Sequence, residues 1–179
     1  MFEIKENFGL KNYNTFHVDI SCRYFVCCSS SEQIKDFITI HKTKNLPLLI
    51  LGGGSNLLFT KDFEGYIVKP DIKGIAKVKE TNDFIELKVG AGENWDSFVE
   101  YCVRNNWGGV ENLSLIPGNV GTCPIQNIGA YGIEVKDVIT NVETVDLETL
   151  QSHNFSNNDC RFGYRDSIFK RELKGKHII

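Results

Sequence analysis

Three stretches of the chain carry residue types that could do chemistry. The first is Gly52-Gly53-Gly54-Ser55-Asn56, which ends the apolar run Leu48–Leu51 and gives way to Leu57 and Leu58. Consecutive amides in such a turn can face one concavity and make a nest for phosphate oxygens, with Ser55 and Asn56 adding side-chain donors. No Gly-Lys-Ser/Thr follows, which excludes a Walker loop, and no helical pattern opens after it, which excludes a Rossmann turn. The second stretch, residues 116–135, holds Pro117, Gly118, Gly121, Pro124, Gly129 and Gly132, with Gly109 just upstream and no charge before Glu134. Glycine lets backbone approach a ligand closely, and Ile125, Ile128 and their apolar neighbours offer a surface for a flat ring. That combination suits a cofactor with a pyrophosphate and an aromatic system; the alternative is a complicated buried turn. The third stretch is CRFGYRDSIFK, residues 160–170, where Arg165 lies among Phe162, Tyr164, Ile168 and Phe169. Its guanidinium is either a snorkelling or ion-paired group, with Asp166 as a partner, or a charge aimed at a carboxylate or oxyanion in a partly dry site.

The remainder of the sequence must position these groups. The chain has 179 residues, 41% hydrophobic and 24% charged, which is enough for a buried core in one large or two small domains. A net charge of −3 gives no electrostatic reason to expect nucleic acid or an anionic membrane as partner. No apolar run reaches the roughly 18 residues of a spanning helix, and MFEIKENFGL has no apolar signal core. A cytoplasmic location is expected. The six cysteines form no C-x-x-C pair and lie far in sequence from the four histidines, so reduced thiols and no metal site are expected.

Val18, Ile20 and Cys22 alternate with polar residues and Phe25–Cys28 form a second run, which predicts two strands. Ser30 and Gln33 form a capping-box pattern before Ile34, Phe37, Ile38 and His41 on one helical face. His41 reads as a packed or half-exposed residue rather than a ligand. Leu48–Leu51 predicts a strand buried on both faces, and further strands follow over 66–69, 75–79 and 84–89, the last two joined by a turn at 81–83. Trp95, Phe98, Val99, Cys102 and Val103 predict the core stripe of a second helix capped by Asn94. A strand is expected around Val142–Leu147, and GKHII reads as the start of another.

LGGGSNLLF (51–59), ENLSLIPGNVGTCPIQNIGAYG (111–132) and CRFGYRDSIFK together resemble the UDP-N-acetylenolpyruvoylglucosamine reductases, flavoenzymes of bacterial peptidoglycan synthesis. NTFHVD (14–19) and VGAGENW (89–95) are also similar to that family, from about residue 10 onward and in the same order. The resemblance implies an α+β fold of the vanillyl-alcohol-oxidase (PCMH-like) type, with FAD-binding subdomains at about 1–70 and 71–179. It implies a non-covalently held FAD, so that Cys123 and His17 are not tethers. Gly52, Gly53, Gly54, Ser55, Asn56 and Leu57 would hold the pyrophosphate. Pro117, Gly118, Gly121 and Thr122 would lie near phosphate or ring atoms, and Ile125 and Ile128 would face the ring.

In the family NADPH supplies hydride to the flavin, which passes it to the enolpyruvyl group of a UDP-sugar; protonation of the enolate completes the lactyl ether. Arg165 matches the arginine that stabilises that enolate, and Tyr164 would line the substrate site. A monomer is expected. The family's serine proton donor and glutamate belong to a third domain and match nothing in 1–179. The expectation is therefore the FAD-binding portion of a longer reductase, without complete turnover of its own. Two other readings are a nucleotide- or FAD-binding domain without catalysis, and an oxidase with covalent FAD.

Overall fold

Strand β1 (Ile4–Gly9) pairs antiparallel with β2 (Ser21–Cys28), the start of a four-stranded sheet. The architecture comes from a computed structural model that describes residues 2–179. Helix α1 (Ser31–Lys42) follows, then β3 (Leu48–Ile50) and β4 (Phe63–Pro70), and the sheet runs in the order β1-β2-β4-β3 with β2, β4 and β3 parallel. Strands β5 (Ile75–Glu80) and β6 (Ile85–Val89) form a hairpin, and helix α2 spans Trp95–Arg104. A two-residue hairpin pairs β7 (Gly129–Ala130) with β8 (Ile133–Glu134). Strand β9 (Asn141–Asp146) then lies between β10 (Ser152–Ser156) and β11 (His177–Ile178) in an antiparallel sheet. The fold is α+β, as expected. No helix among the described residues is long and apolar enough to cross a membrane.

The sequence accounts for most of these elements. Ser30 caps α1, its hydroxyl accepting from the Gln33 amide at 3.2 Å, while the Gln33 side chain reaches one residue further back to the Ser29 amide at 2.9 Å. Ile34, Phe37 and Ile38 form the buried stripe of α1. That stripe packs between Val26, Cys28, Tyr66 and Val68 of the first sheet and Val145 and Ile178 of the last, so a single apolar cluster joins both sheets. His41 is half-buried and bonds the Leu46 carbonyl at 2.8 Å through Nε2. Asn94 caps α2 through the Ser97 amide at 2.9 Å, and Trp95, Val99 and Cys102 are buried.

Three expectations need correction, and one edge strand adds to them. The two strands expected over 18–28 are one, and it begins only at Ser21, because Asn14 ties 10–18 into a loop: its Nδ2 donates to the Leu10 and Val18 carbonyls and its Oδ1 accepts from the Val18 amide. Strand β1 has no counterpart in the sequence reading; on an edge strand only Ile4 and Phe8 turn inward, too few to set a period. Leu48–Ile50 is an edge strand and half-buried, not covered on both faces; burial is complete only at Leu51. Val103 is 51% exposed and leaves the stripe of α2.

Candidate active site

Strand β3 ends at Ile50, and the chain enters the Gly52–Leu57 turn directly from the parallel sheet. The amides of 52–57 donate no hydrogen bond to protein among the described residues, a run of six unspent donors. The turn is shaped from below by the NTFHVD segment: the Thr15 amide donates to the Gly54 carbonyl at 3.2 Å, and Gly54 has φ +68° directly over the backbone of Tyr13. A β-carbon at Gly54 would collide with the Tyr13 carbonyl, so glycine is required there twice over.

The second glycine-rich segment is held by VGAGENW. The amides of Val120 and Gly121 donate to the carbonyls of Glu93 and Ala91, each at 2.9 Å, and the Trp95 amide donates to the Gly118 carbonyl at 3.0 Å. Asn119 adds a side-chain bond to the Gly92 carbonyl at 2.8 Å. Gly121 is thus a packing residue: a β-carbon there would stand 2.6 Å from that of Ala91. The two glycine-rich segments then meet. A β-carbon on Gly52 would overlap the Thr122 methyl, and one on Gly53 would stand 2.9 Å from both Asn119 Oδ1 and Gly118 Cα. Ser55 Oγ lies 3.3 Å from the Pro117 carbonyl, and Asn56 Nδ2 lies 2.8 Å from Gln126 Oε1.

Between them lies a cleft of about 160 Å³, with Leu57, Trp95, Ile125 and Ile128 as its apolar wall. Its polar lining is Ser55, Asn56, Asn119, Thr122 and Gln126, and no charged side chain among the described residues lines it. An anion in this cleft would be met by amide dipoles and neutral side-chain donors rather than by a cation, each charge-assisted bond contributing roughly 1.5–3 kcal/mol. A pyrophosphate against the 52–57 amides, with a flat ring on the isoleucine wall, fits this donor set. Cys123 also lines the cleft, but its thiol is buried and burial pushes its pKa far above the ordinary range. It is a poor thiolate for a covalent bond. His17 is exposed, on the loop under Gly54.

Of the residues singled out from sequence, 52–57, Pro117, Thr122, Ile125 and Ile128 line this cleft, while Gly118 and Gly121 lie behind it. Ile50, Trp95, Asn119, Cys123 and Gln126 join it without having been singled out. Asn119 and Gln126 stand inside the longest family-like motif, and their polar side chains among glycines were the available signal.

Arg165 lies beside the cleft, on a turn closed by the Gly163–Asp166 pairing, with φ +50°. Its Nη1 donates to the Asn127 carbonyl at 3.3 Å and its Nη2 to the Gly129 carbonyl, next to Ile128. The ion partner near it is Glu134, with Nη1 and Oε1 3.7 Å apart, whereas Asp166 pairs with Arg171 at 3.2 Å. The Arg165–Asp166 pairing considered from sequence is not formed, because the turn sends the two side chains to different neighbours. Tyr164 is 84% exposed, with the Arg165 guanidinium 5.3 Å over its ring. Glu134 Oε1 is buried without a hydrogen-bond donor among the described residues, a condition that costs roughly 1–3 kcal/mol or more. Ser167 is wholly buried and structural, its hydroxyl donating to the Ile125 carbonyl at 2.7 Å.

The family described as FAD binding domain matches residues 22–149, most of the chain and every residue that lines the cleft. The chain belongs to that FAD-binding family. FAD is accordingly its cofactor, as the resemblance implied. The chain is 48% identical over 177 residues to the UDP-N-acetylenolpyruvoylglucosamine reductase of Flavobacterium johnsoniae, covering 99% of this chain and 52% of that protein. It is 49% identical over 168 residues to the enzyme of the same name from Bacteroides fragilis, covering 94% and 50%. This FAD-binding chain therefore spans about half the length of the curated relatives it matches. Among solved structures, the UDP-N-acetylenolpyruvylglucosamine reductase of Thermus caldophilus superposes with a TM-score of 0.68 at 26% identity, over 93% of this chain and 56% of that one. A VAO-type flavoprotein from Myceliophthora thermophila superposes at 0.55 and 18% identity over 75% of this chain and 26% of that one, a likeness of fold alone. The reductase resemblance and the vanillyl-alcohol-oxidase-type fold are both borne out.

Proposed function

We propose that this chain is the FAD-binding part of an NADPH-dependent reductase that converts UDP-N-acetylglucosamine enolpyruvate to UDP-N-acetylmuramate in peptidoglycan synthesis. The observation that carries the reading is the uncharged cleft with six unspent amides, built from the motifs on which the resemblance to the reductases rests. The amides of 52–57 would hold the diphosphate, and Ile125 and Ile128 would offer the ring an apolar surface. Pro117, Gly118, Gly121 and Thr122 fix the shape of the opposite wall. When bound, FAD supplies a two-electron acceptor and donor of hydride.

Arg165 brings the positive charge. Its guanidinium has five N–H donors, two of which go to the Asn127 and Gly129 carbonyls, leaving three for an anion. Such a preorganised cation would stabilise negative charge developing on the enolpyruvyl carboxylate and enolate oxygen. Tyr164, exposed beside it, would contact the same substrate. The reading also includes a cytoplasmic monomer, and a division into units 1–70 and 71–179, which falls at the end of β4.

The test is an anaerobic titration of the FAD-loaded chain. NADPH is expected to bleach the flavin absorbance. The enolpyruvyl sugar nucleotide is expected to perturb the oxidised spectrum, and that response should be lost in Arg165→Met. A loaded chain that responds to neither compound contradicts the proposal and favours a binding domain without catalysis.

A further inference from the structure

We propose that Glu134 is the positioning residue for Arg165, an inference that rests on the reading of Arg165 as the guanidinium that meets the substrate anion. Glu134 lies on β8, directly opposite Gly129 on β7. From there Oε1 faces Arg165 Nη1 at 3.7 Å, while Oε2 lies 2.5 Å from Lys136 Nζ. Among the described residues Oε1 has no hydrogen-bond donor and is closed to solvent, with the guanidinium 3.7 Å away.

Gly129 makes this arrangement possible. A β-carbon there would stand 2.8 Å from Arg165 Nη1 and 2.9 Å from Glu134 Cγ. The arginine and the glutamate therefore occupy the volume that any other residue would fill with its own side chain. The guanidinium lies on glycine backbone, bonded to the Asn127 and Gly129 carbonyls, with the carboxylate beside it. Carbonyls alone fix two N–H groups without opposing the positive charge; the carboxylate supplies the attraction that keeps the group from swinging into solvent. Lys136 draws on the other oxygen, so Glu134 does not neutralise Arg165 fully, and an incoming anion still meets net positive charge.

A purely structural role competes with this one, because Glu134 opens the short turn Val135–Asp137, where its backbone amide donates to Asp137 Oδ2 at 2.9 Å. Glu134→Gln separates the two, since it keeps the backbone bond and the shape of the side chain but carries no charge. The measurement uses the full 179-residue chain, labelled with ¹⁵N and loaded with FAD, with the Arg165 side-chain resonances assigned by their loss in Arg165→Lys. The native chain is expected to show slowly exchanging guanidinium signals. In Glu134→Gln those signals should move to the free-arginine position, and Glu134→Asp should restore them in part. FAD affinity and the backbone spectrum should remain native. Affinity for UDP-N-acetylglucosamine enolpyruvate should fall about tenfold in Glu134→Gln, the scale expected when a site group is displaced by a fraction of an ångström.

Unchanged guanidinium signals in Glu134→Gln would overturn the positioning role. If Arg165→Lys weakens the sugar nucleotide and Glu134→Gln does not, the positioning role again fails while the reading of Arg165 survives. If neither variant alters its binding, the reading of Arg165 fails, and the guanidinium signals alone decide whether Glu134 holds it.

Discussion

Gly52 has no room for a side chain, because the Thr122 methyl occupies the position a β-carbon would take. Gly52→Ala is therefore expected to push the two glycine-rich segments apart and weaken FAD at least tenfold, on the order of one charge-assisted bond lost. Thr122→Ser removes the methyl, so the double variant should recover most of that affinity; equilibrium titration of FAD checks both. From sequence the glycines read as a candidate ligand cradle, with a complicated buried turn as the alternative, because glycine serves both close approach of a ligand and tight packing of backbone. Their partners were less legible. Nothing in the spacing says that 89–95 zips onto 118–121, and it is that pairing which brings Asn119 and Trp95 to the cleft. Arg165 stood out by type, yet its ion partner is Glu134, far back in the chain on β8, rather than the adjacent Asp166.

At the level of elements, loop 10–18 supports the Gly54 turn, and Asn14 ties that loop with three side-chain bonds. Asn14→Ala is expected to cost roughly 1–3 kcal/mol in urea unfolding and to lower FAD affinity as well, because the Gly54 turn rests on this loop. Ser30→Ala removes the cap of α1 and should cost about 1 kcal/mol with FAD affinity unchanged, since no residue of α1 lines the cleft. The sheet of β9, β10 and β11 adds a pH dependence. His177 Nδ1 lies 2.9 Å from Thr144 Oγ1 and Nε2 lies 3.6 Å from Asp146 Oδ2. Burial is the larger influence and lowers the His177 pKa below its ordinary value, while Asp146 opposes it. The unfolded chain therefore takes up this proton first. Stability from the neutral ring is fully present above about pH 6.5 and is lost as pH falls below it. The melting temperature should decline from about pH 7 to about pH 5, and His177→Gln should flatten that decline. The helices were legible because capping and apolar period agreed; the edge strand β1 was not, because half of its residues meet solvent and carry charge.

For the molecule as a whole, one apolar cluster spans the first sheet, α1 and the last sheet, so residues from both sides of position 70 share a core. The cleft lies elsewhere, at the end of β3, where the two glycine-rich segments are clasped by Asn56 and Gln126. This separation lets the cradle remain a packing of backbone on backbone, with the stability supplied by sheets and helices around it. The fold class was legible as a family resemblance carried by five motifs; the joining of the sheets through α1 was not, because contacts between distant strands leave no local period. Everything proposed for this molecule depends on the cradle holding FAD without a covalent bond. The direct measurement is the absorbance spectrum of the purified chain after incubation with FAD and desalting, followed by acid precipitation. Close to one flavin per chain is expected, released entirely into the acid supernatant. A folded chain that takes up no flavin, or a precipitate that stays yellow, would contradict it.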